Sequence, residues 1–215
     1  MPTPNEKFKF KDQAQARVMT LATVATTKRL DSTHYIEGYA ARYDPYVLYD
    51  GGDDGKVYER FEPGCFDETD MSDVIFQFDH AGRVFARTTN GTLIVEPDSA
   101  GLFTAADLSK SDGARSIHAD IDARLLTKMS WRFRVGDYRV ERTEGSNDVT
   151  IVHTRVPKIY DVSVVSIPAN DNTEINARDF AHGVMAEAAR REAELEERRN
   201  RLRTKINITN TLMEE

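Results

Sequence analysis

Between residues 34 and 169 the apolar residues arrive in short alternating runs, and most of these runs stop at Gly, Pro, Asn or Asp. A period of two is the pattern of a strand with one buried face, and such frequent stops leave little room for long helices. HYIEGYAARYD (34–44) mixes aromatic and small residues, KVYERFEP (56–63) alternates up to Pro63, and VIFQFDH (74–80) alternates up to His80. RVFART and TLIVEPD flank Thr89-Asn90-Gly91, which predicts a hairpin. GLFTAADLS (101–109), MSWRFRVGDYRVERTE (129–144), DVTIVHTRV (148–156) and KIYDVSVVSIPA (158–169) read as further strands, as does the β-branched ARVMTLATVATT (16–27). DGGDDGK (50–56) reads as a loop.

Helical spacing appears in three places. FDETDM (66–71) predicts about one turn. In SDGARSIHADIDARLL (111–126), Ala114, Ile117, Ile121 and Leu125 share one face. The segment 178–205 is dense in Ala, Glu, Arg and Leu, strong helix formers. Its stripe of Met185, Ala188, Leu195, Leu202 and Ile206 is interrupted by Glu192 and Arg199. That predicts a solvated helix that docks weakly or orders on a partner, not a long coiled coil. The chain thus divides into a polar leader (1–15), a strand-rich body (16–176) and a charged helical tail (177–215). The expected class is mainly β with peripheral helices (α+β), an antiparallel barrel or sandwich with helices packed outside.

Composition narrows the function. The 215 residues are enough for a sizeable core, and a net charge of -7 argues against a whole-protein nucleic-acid binder. A single cysteine, Cys65, allows neither an internal disulfide nor a multi-cysteine zinc site; between Gly64 and an acidic run it reads as a small buried residue. No apolar run is long enough to span a bilayer, and the first residues lack the apolar stretch of a signal peptide, so a cytoplasmic address without membrane contact is expected.

Five histidines are present. His34, His118, His153 and His182 sit in polar or amphipathic surroundings, and no pair has metal-motif spacing; no metal or cofactor is expected. Asp50, Asp53 and Asp54 do not follow the order of a calcium loop and read as a solvated turn. His80 differs, ending an apolar strand where the chain turns, an edge at which sites often lie. Ser130, in Met129-Ser130-Trp131-Arg132-Phe133, shares a strand face with Arg132 and not with its bulky neighbours. Asp161 lies inside an apolar strand, where an acid needs a partner, either a histidine to orient or an arginine in a structural ion pair.

In order along the chain, six segments together resemble one family. They are Gly38-Tyr39-Ala40; Glu59-Arg60-Phe61-Glu62-Pro63-Gly64-Cys65-Phe66-Asp67; Phe78-Asp79-His80 with Arg83-Val84; Arg87-Thr88-Thr89-Asn90-Gly91-Thr92-Leu93; Met129-Ser130-Trp131-Arg132-Phe133; and Asp161-Val162-Ser163-Val164-Val165-Ser166-Ile167-Pro168-Ala169. The chain from about 36 to 173 resembles the prohead serine proteases of tailed bacteriophages, a family related in fold to herpesvirus assemblin. The resemblance implies an assemblin-like antiparallel β-barrel core. It implies Ser130 as nucleophile, His80 as general base and Asp161 as the acid that orients the histidine, with no cofactor. Arg132 stands where the family has a small glycine, where it either narrows the cleft or helps stabilise an oxyanion.

The implied function is a serine endopeptidase of capsid maturation, acting inside the procapsid in the host cytoplasm. It would cut the scaffolding segment of the major capsid protein, or a separate scaffold, and itself. The assemblin relationship implies a homodimer. The alternative is a non-catalytic assembly factor on the same fold that uses its charged helix as scaffold.

Overall fold

Alternating sequence yields strands wherever a partner strand covers the apolar face. The computed structural model describes residues 14–20, 28–166 and 171–213. In chain order the strands are β1 (Ala14–Thr20), β2 (Tyr35–Arg42), β3 (Tyr46–Asp50), β4 (Lys56–Phe61), β5 (Ile75–Phe78) and β6 (Ala81–Arg87). They continue with β7 (Leu93–Pro97), β8 (Gly101–Asp107), β9 (Lys128–Arg134), β10 (Tyr138–Arg142), β11 (Val149–His153) and β12 (Lys158–Val165). Two helices accompany them, α1 (Asp112–Asp122) and α2 (Asp171–Met213). The class is mainly β with helices. Residues 1–13 of the leader, 21–27 of the first expected strand and Ile167-Pro168-Ala169 of the last motif lie outside the described residues.

The strands form three sheets, in the orders β1-β9-β12-β5-β6, β10-β11-β4-β3 and β2-β8-β7. This corrects the expected antiparallel barrel: among the described residues the pairings close no barrel, and β12–β5 and β11–β4 run parallel. Both parallel pairs join strands far apart in sequence. The long connections free them from the hairpin constraint that imposes antiparallel pairing on neighbours.

Four local expectations also change. Asn90-Gly91 does turn, with Gly91 at φ +74°, but it does not close a hairpin. β6 pairs with β5 and β7 with β8, so the turn hands the chain from one sheet to another. Residues 66–71 form successive turns, Asp67 N–H to Gly64 O (3.1 Å) and Thr69 N–H to Phe66 O (3.1 Å), not a helix. The chain is then drawn away by Asp70 N–H donating to Pro157 O (2.9 Å). The expected strand 129–144 is broken at Gly136, where a Cβ would lie 2.3 Å from the Arg155 carbonyl oxygen. Only glycine permits that approach. Finally, α1 starts where Ser111 Oγ accepts from Ala114 N–H (3.2 Å) but ends at Asp122, with Arg124 at φ +59°. Leu125 therefore leaves the buried face of Ala114 and Ile121 and is exposed. β3 had no place in the sequence reading.

The core lies on one side of the five-stranded sheet. Trp131 and Phe133, two apart on β9, stack at 4.4 Å, and Phe61 of β4 packs on both. Each such side chain contributes about 1.5–3 kcal/mol through burial. Phe180, Ala181 and Val184 are buried with them, so this part of α2 packs with the strands, against β1 and β3. Farther along, Leu195, Leu202 and Ile206 are exposed.

Candidate active site

The core dictates where the polar residues of β9 go. With Met129, Trp131 and Phe133 buried on one face, Ser130 and Arg132 must occupy the other. β9 sits between β1 and β12, and its register with β12 sets Ser163 opposite Ser130 and Asp161 opposite Arg132. That register depends on an irregularity. In a regular strand Asp161 would share a face with Ile159, which points into the core. Between Ile159 and Asp161 the ladder shifts by one residue, Tyr160 being the extra one, and Asp161 comes out on the face of Ser130. Re-aiming a side chain beside a site is a common use of a β-bulge.

The histidine arrives from the other direction. β5 runs parallel to β12, and its last residue, Phe78, pairs with Ala81, the first of β6. Asp79 and His80 are thus the two central residues of a tight hairpin, and both have positive φ, +47° and +57°. This is the backbone of a type I′ turn, and Asp and His are among the non-glycine residues that best tolerate it. The turn is tied down: Asp79 N–H donates to Val164 O (3.0 Å), and its carboxylate accepts from Ser166 N–H (2.9 Å) and Ser166 Oγ (2.8 Å).

So placed, the His80 ring spans two partners. Its Nε2 lies 2.6 Å from Ser130 Oγ, and its Nδ1 is hydrogen-bonded to Asp161 Oδ1. Ser163 Oγ donates to the same Oδ1 (2.8 Å), and Arg132 Nε lies 3.1 Å from Oδ2. Ser130 and Asp161 are almost fully buried, the His80 side chain is 15% exposed and that of Arg132 44% exposed. The open side of the cluster is therefore the side of the histidine and the arginine. Both partners foreseen for Asp161, a histidine and an arginine, are present together.

The remaining candidates stay apart from this cluster. His34 and His118 meet edge to face at 5.0 Å, and His182 packs on Tyr49 at 4.9 Å. Asp50 caps its own turn, accepting from Gly52 N–H (3.1 Å) and pairing with Lys56 (3.1 Å). Cys65 is buried; burial, and then Asp67 and Glu62, push its thiol up to about 12. Sequence reading missed Ser163, although its place two residues after Asp161 puts it on the same face. It also missed the role of Asp79 in holding the turn. The partnership of His153 with Glu59 had no local signal, the two being 94 residues apart.

Residues 22–187 match the family described as caudovirus prohead serine protease. The chain belongs to that family. The matched region contains His80, Ser130 and Asp161 and runs into α2 as far as the turns that pack with the body. Among solved structures, the chain is similar to the bacteriophage T4 capsid assembly protease gp21, with 12% identity and a TM-score of 0.39, covering 73% of this chain and 99% of that one. No curated protein sequence matches it. No helix among the described residues is long and apolar enough to cross a membrane.

Proposed function

We propose that this member of the family is a serine endopeptidase in which Ser130 is the nucleophile, His80 the general base and Asp161 the orienting acid. The observation that carries the reading is the imidazole held between Ser130 Oγ and Asp161 Oδ1. A carboxylate on Nδ1 favours the tautomer with its proton there, which leaves the Nε2 lone pair facing the serine hydroxyl. Ser130 Oγ attacks the scissile carbonyl as its proton passes to Nε2. The imidazolium then donates that proton to the leaving amine as the C–N bond breaks. Water, deprotonated by the same Nε2, hydrolyses the acyl-enzyme. Asp161 keeps the ring oriented and balances its charge in both half-reactions.

The substrates in this reading are the scaffolding segment of the major capsid protein or a separate scaffold, and the protease itself, inside the procapsid. The leader and the exposed part of α2 would serve as self-cleavage or packaging segments. Support comes from the family match and from a site that opens on the side of its histidine and arginine.

The test is co-expression with the cognate major capsid protein, wild type beside Ser130→Ala, with intact masses of both proteins. Trimming of either protein in the wild type alone is expected. Identical masses in the two would overturn the nucleophile assignment and favour an assembly factor that works without catalysis.

A further inference from the structure

Asp161 carries a demand that His80 and Ser163 do not meet. A carboxylate 1% exposed requires compensation for its lost hydration. Its Oδ1 accepts from an imidazole and a hydroxyl, which in the resting site need bring no charge. Arg132 supplies the cation, with Nε 3.1 Å from the other oxygen, Oδ2. The two residues are register neighbours on adjacent strands, so the backbone ladder itself holds them side by side. The contact is an ion pair and not a linear hydrogen bond: the buried Nε has no acceptor in line with it among the described residues.

The placement also separates two roles for Arg132. To stabilise an oxyanion, a donor must aim at the oxygen that develops beside the nucleophile. The buried nitrogen of Arg132 instead lies against Asp161, whose Oδ1 is bonded to the ring nitrogen remote from Ser130. We propose that Arg132 is a positioning residue: it grips Asp161 through Oδ2, so that Oδ1 stays presented to His80 and the imidazole keeps the tautomer that accepts the serine proton. The proposal rests on the reading of Ser130, His80 and Asp161 as a catalytic set. It makes the set a group of four, with the fourth member acting only through the third.

The test uses the full chain and diisopropyl fluorophosphate, which phosphorylates a serine as the Oγ–P bond forms, the P–F bond breaks with loss of fluoride and the serine proton passes to the histidine. The maximal inactivation rate and the reagent's binding constant are measured for wild type, Arg132→Ala, Arg132→Lys, Asp161→Asn and the double variant Asp161→Asn/Arg132→Ala. Arg132→Ala is expected to slow the maximal rate by about 10- to 100-fold, the size of one charge-assisted contact, with the binding constant unchanged. Arg132→Lys recovers most of that loss. In the Asp161→Asn background, Arg132→Ala adds no more than about twofold, because its route to the histidine is already cut.

An equal loss in both backgrounds overturns the proposal, as does a weaker binding constant with the rate kept. A second measurement stands apart from catalysis. The ring N–H resonance of 15N-labelled His80, followed by NMR, moves in Arg132→Ala and returns in Arg132→Lys if Arg132 sets the Asp161–His80 bond. An unmoved resonance sinks the idea. Wild-type protein that is not labelled at Ser130 counts against the nucleophile assignment instead, and the resonance still decides the role of Arg132.

Discussion

The molecule holds two clusters built from the same four kinds of group. On one face of the five-stranded sheet a carboxylate (Asp161), a histidine (His80), an arginine (Arg132) and hydroxyls (Ser130, Ser163) converge. In the core, a carboxylate (Glu59), a histidine (His153), an arginine (Arg17) and a hydroxyl (Tyr46) do the same. Arg17 donates twice to Glu59, at 2.5 and 2.7 Å, and His153 Nε2 lies 2.8 Å from its Oε1. Glu59 and His153 are fully buried, and the His153 ring is stacked on Phe61 at 4.8 Å. Burial alone would raise the Glu59 carboxyl, but Arg17 and then the hydrogen bond from His153 outweigh it and hold the group far below the usual carboxylate range. The difference lies in what surrounds the groups. In the core Glu59, His153 and Arg17 are buried, with the rings of Phe133 and Phe180 against both His153 and Arg17, and the cluster joins β1, β3, β4 and β11. On the sheet face the carboxylate is shared between an imidazole and a cation just as in the core, but there the histidine and the arginine reach solvent. A set of residue types makes a site only where one member can meet a substrate.

Removing each carboxylate sharpens this contrast. The largest effect expected is on rate: if Asp161 orients His80 as proposed, Asp161→Asn should slow modification of Ser130 by about 10⁴-fold, the size of the same change in a Ser-His-Asp triad, while denaturant midpoints move little. Glu59→Gln should do the reverse. It strands Arg17 in the core and should cost about 3–5 kcal/mol in urea unfolding, with site chemistry intact in the fraction that remains folded. If Glu59→Gln leaves stability alone and lowers the rate, the division between the two clusters is wrong.

A pH series refines the second case. Because the folded-state value of Glu59 lies below its ordinary 4.5, its stabilisation is complete above about that pH and is lost as acid protonates it. Wild-type stability should therefore fall as pH drops below about 4.5. Glu59→Gln should fall less steeply, keeping the parts due to Asp70 and Asp107, which are also held low. The smallest effect concerns Cys65. With its thiol pushed up to about 12, it should resist iodoacetamide in the native protein and react after denaturation. Rapid native alkylation would show that the turn after Pro63 opens.

Much of the site was legible because it rests on short motifs in order. Ser130 and Arg132 share a face by simple alternation, and the apolar strand before His80 was visible as such. What was not legible depends on contacts across the chain. Asp79-His80 is the turn that closes a hairpin, whereas the stronger local signal, Asn90-Gly91, joins two sheets; pairing, not turn chemistry, decided between them. The parallel union of β5 with β12 brings His80 to Asp161 across 81 residues, and no local pattern encodes it. The Glu59 cluster is invisible for the same reason. Its residues look like surface polar groups until β4, β11 and α2 close over them.

The bulge at Tyr160 has a consequence for how such chains drift in length. Ile159 pairs with Phe133 and Asp161 with Arg132, so removing residue 160 would leave a regular ladder with the acid still beside the arginine and Ser163 still opposite Ser130. One deletion here would erase the hydrogen bond from Arg134 Nε to the Tyr160 hydroxyl (3.1 Å) and the placement of Arg134 and Lys158 over the Tyr160 ring, each at 6.0 Å. The number of residues between Ser130 and Asp161 is thus free to vary by one without moving either. Alignments that score that interval as fixed will pass over chains with the same site.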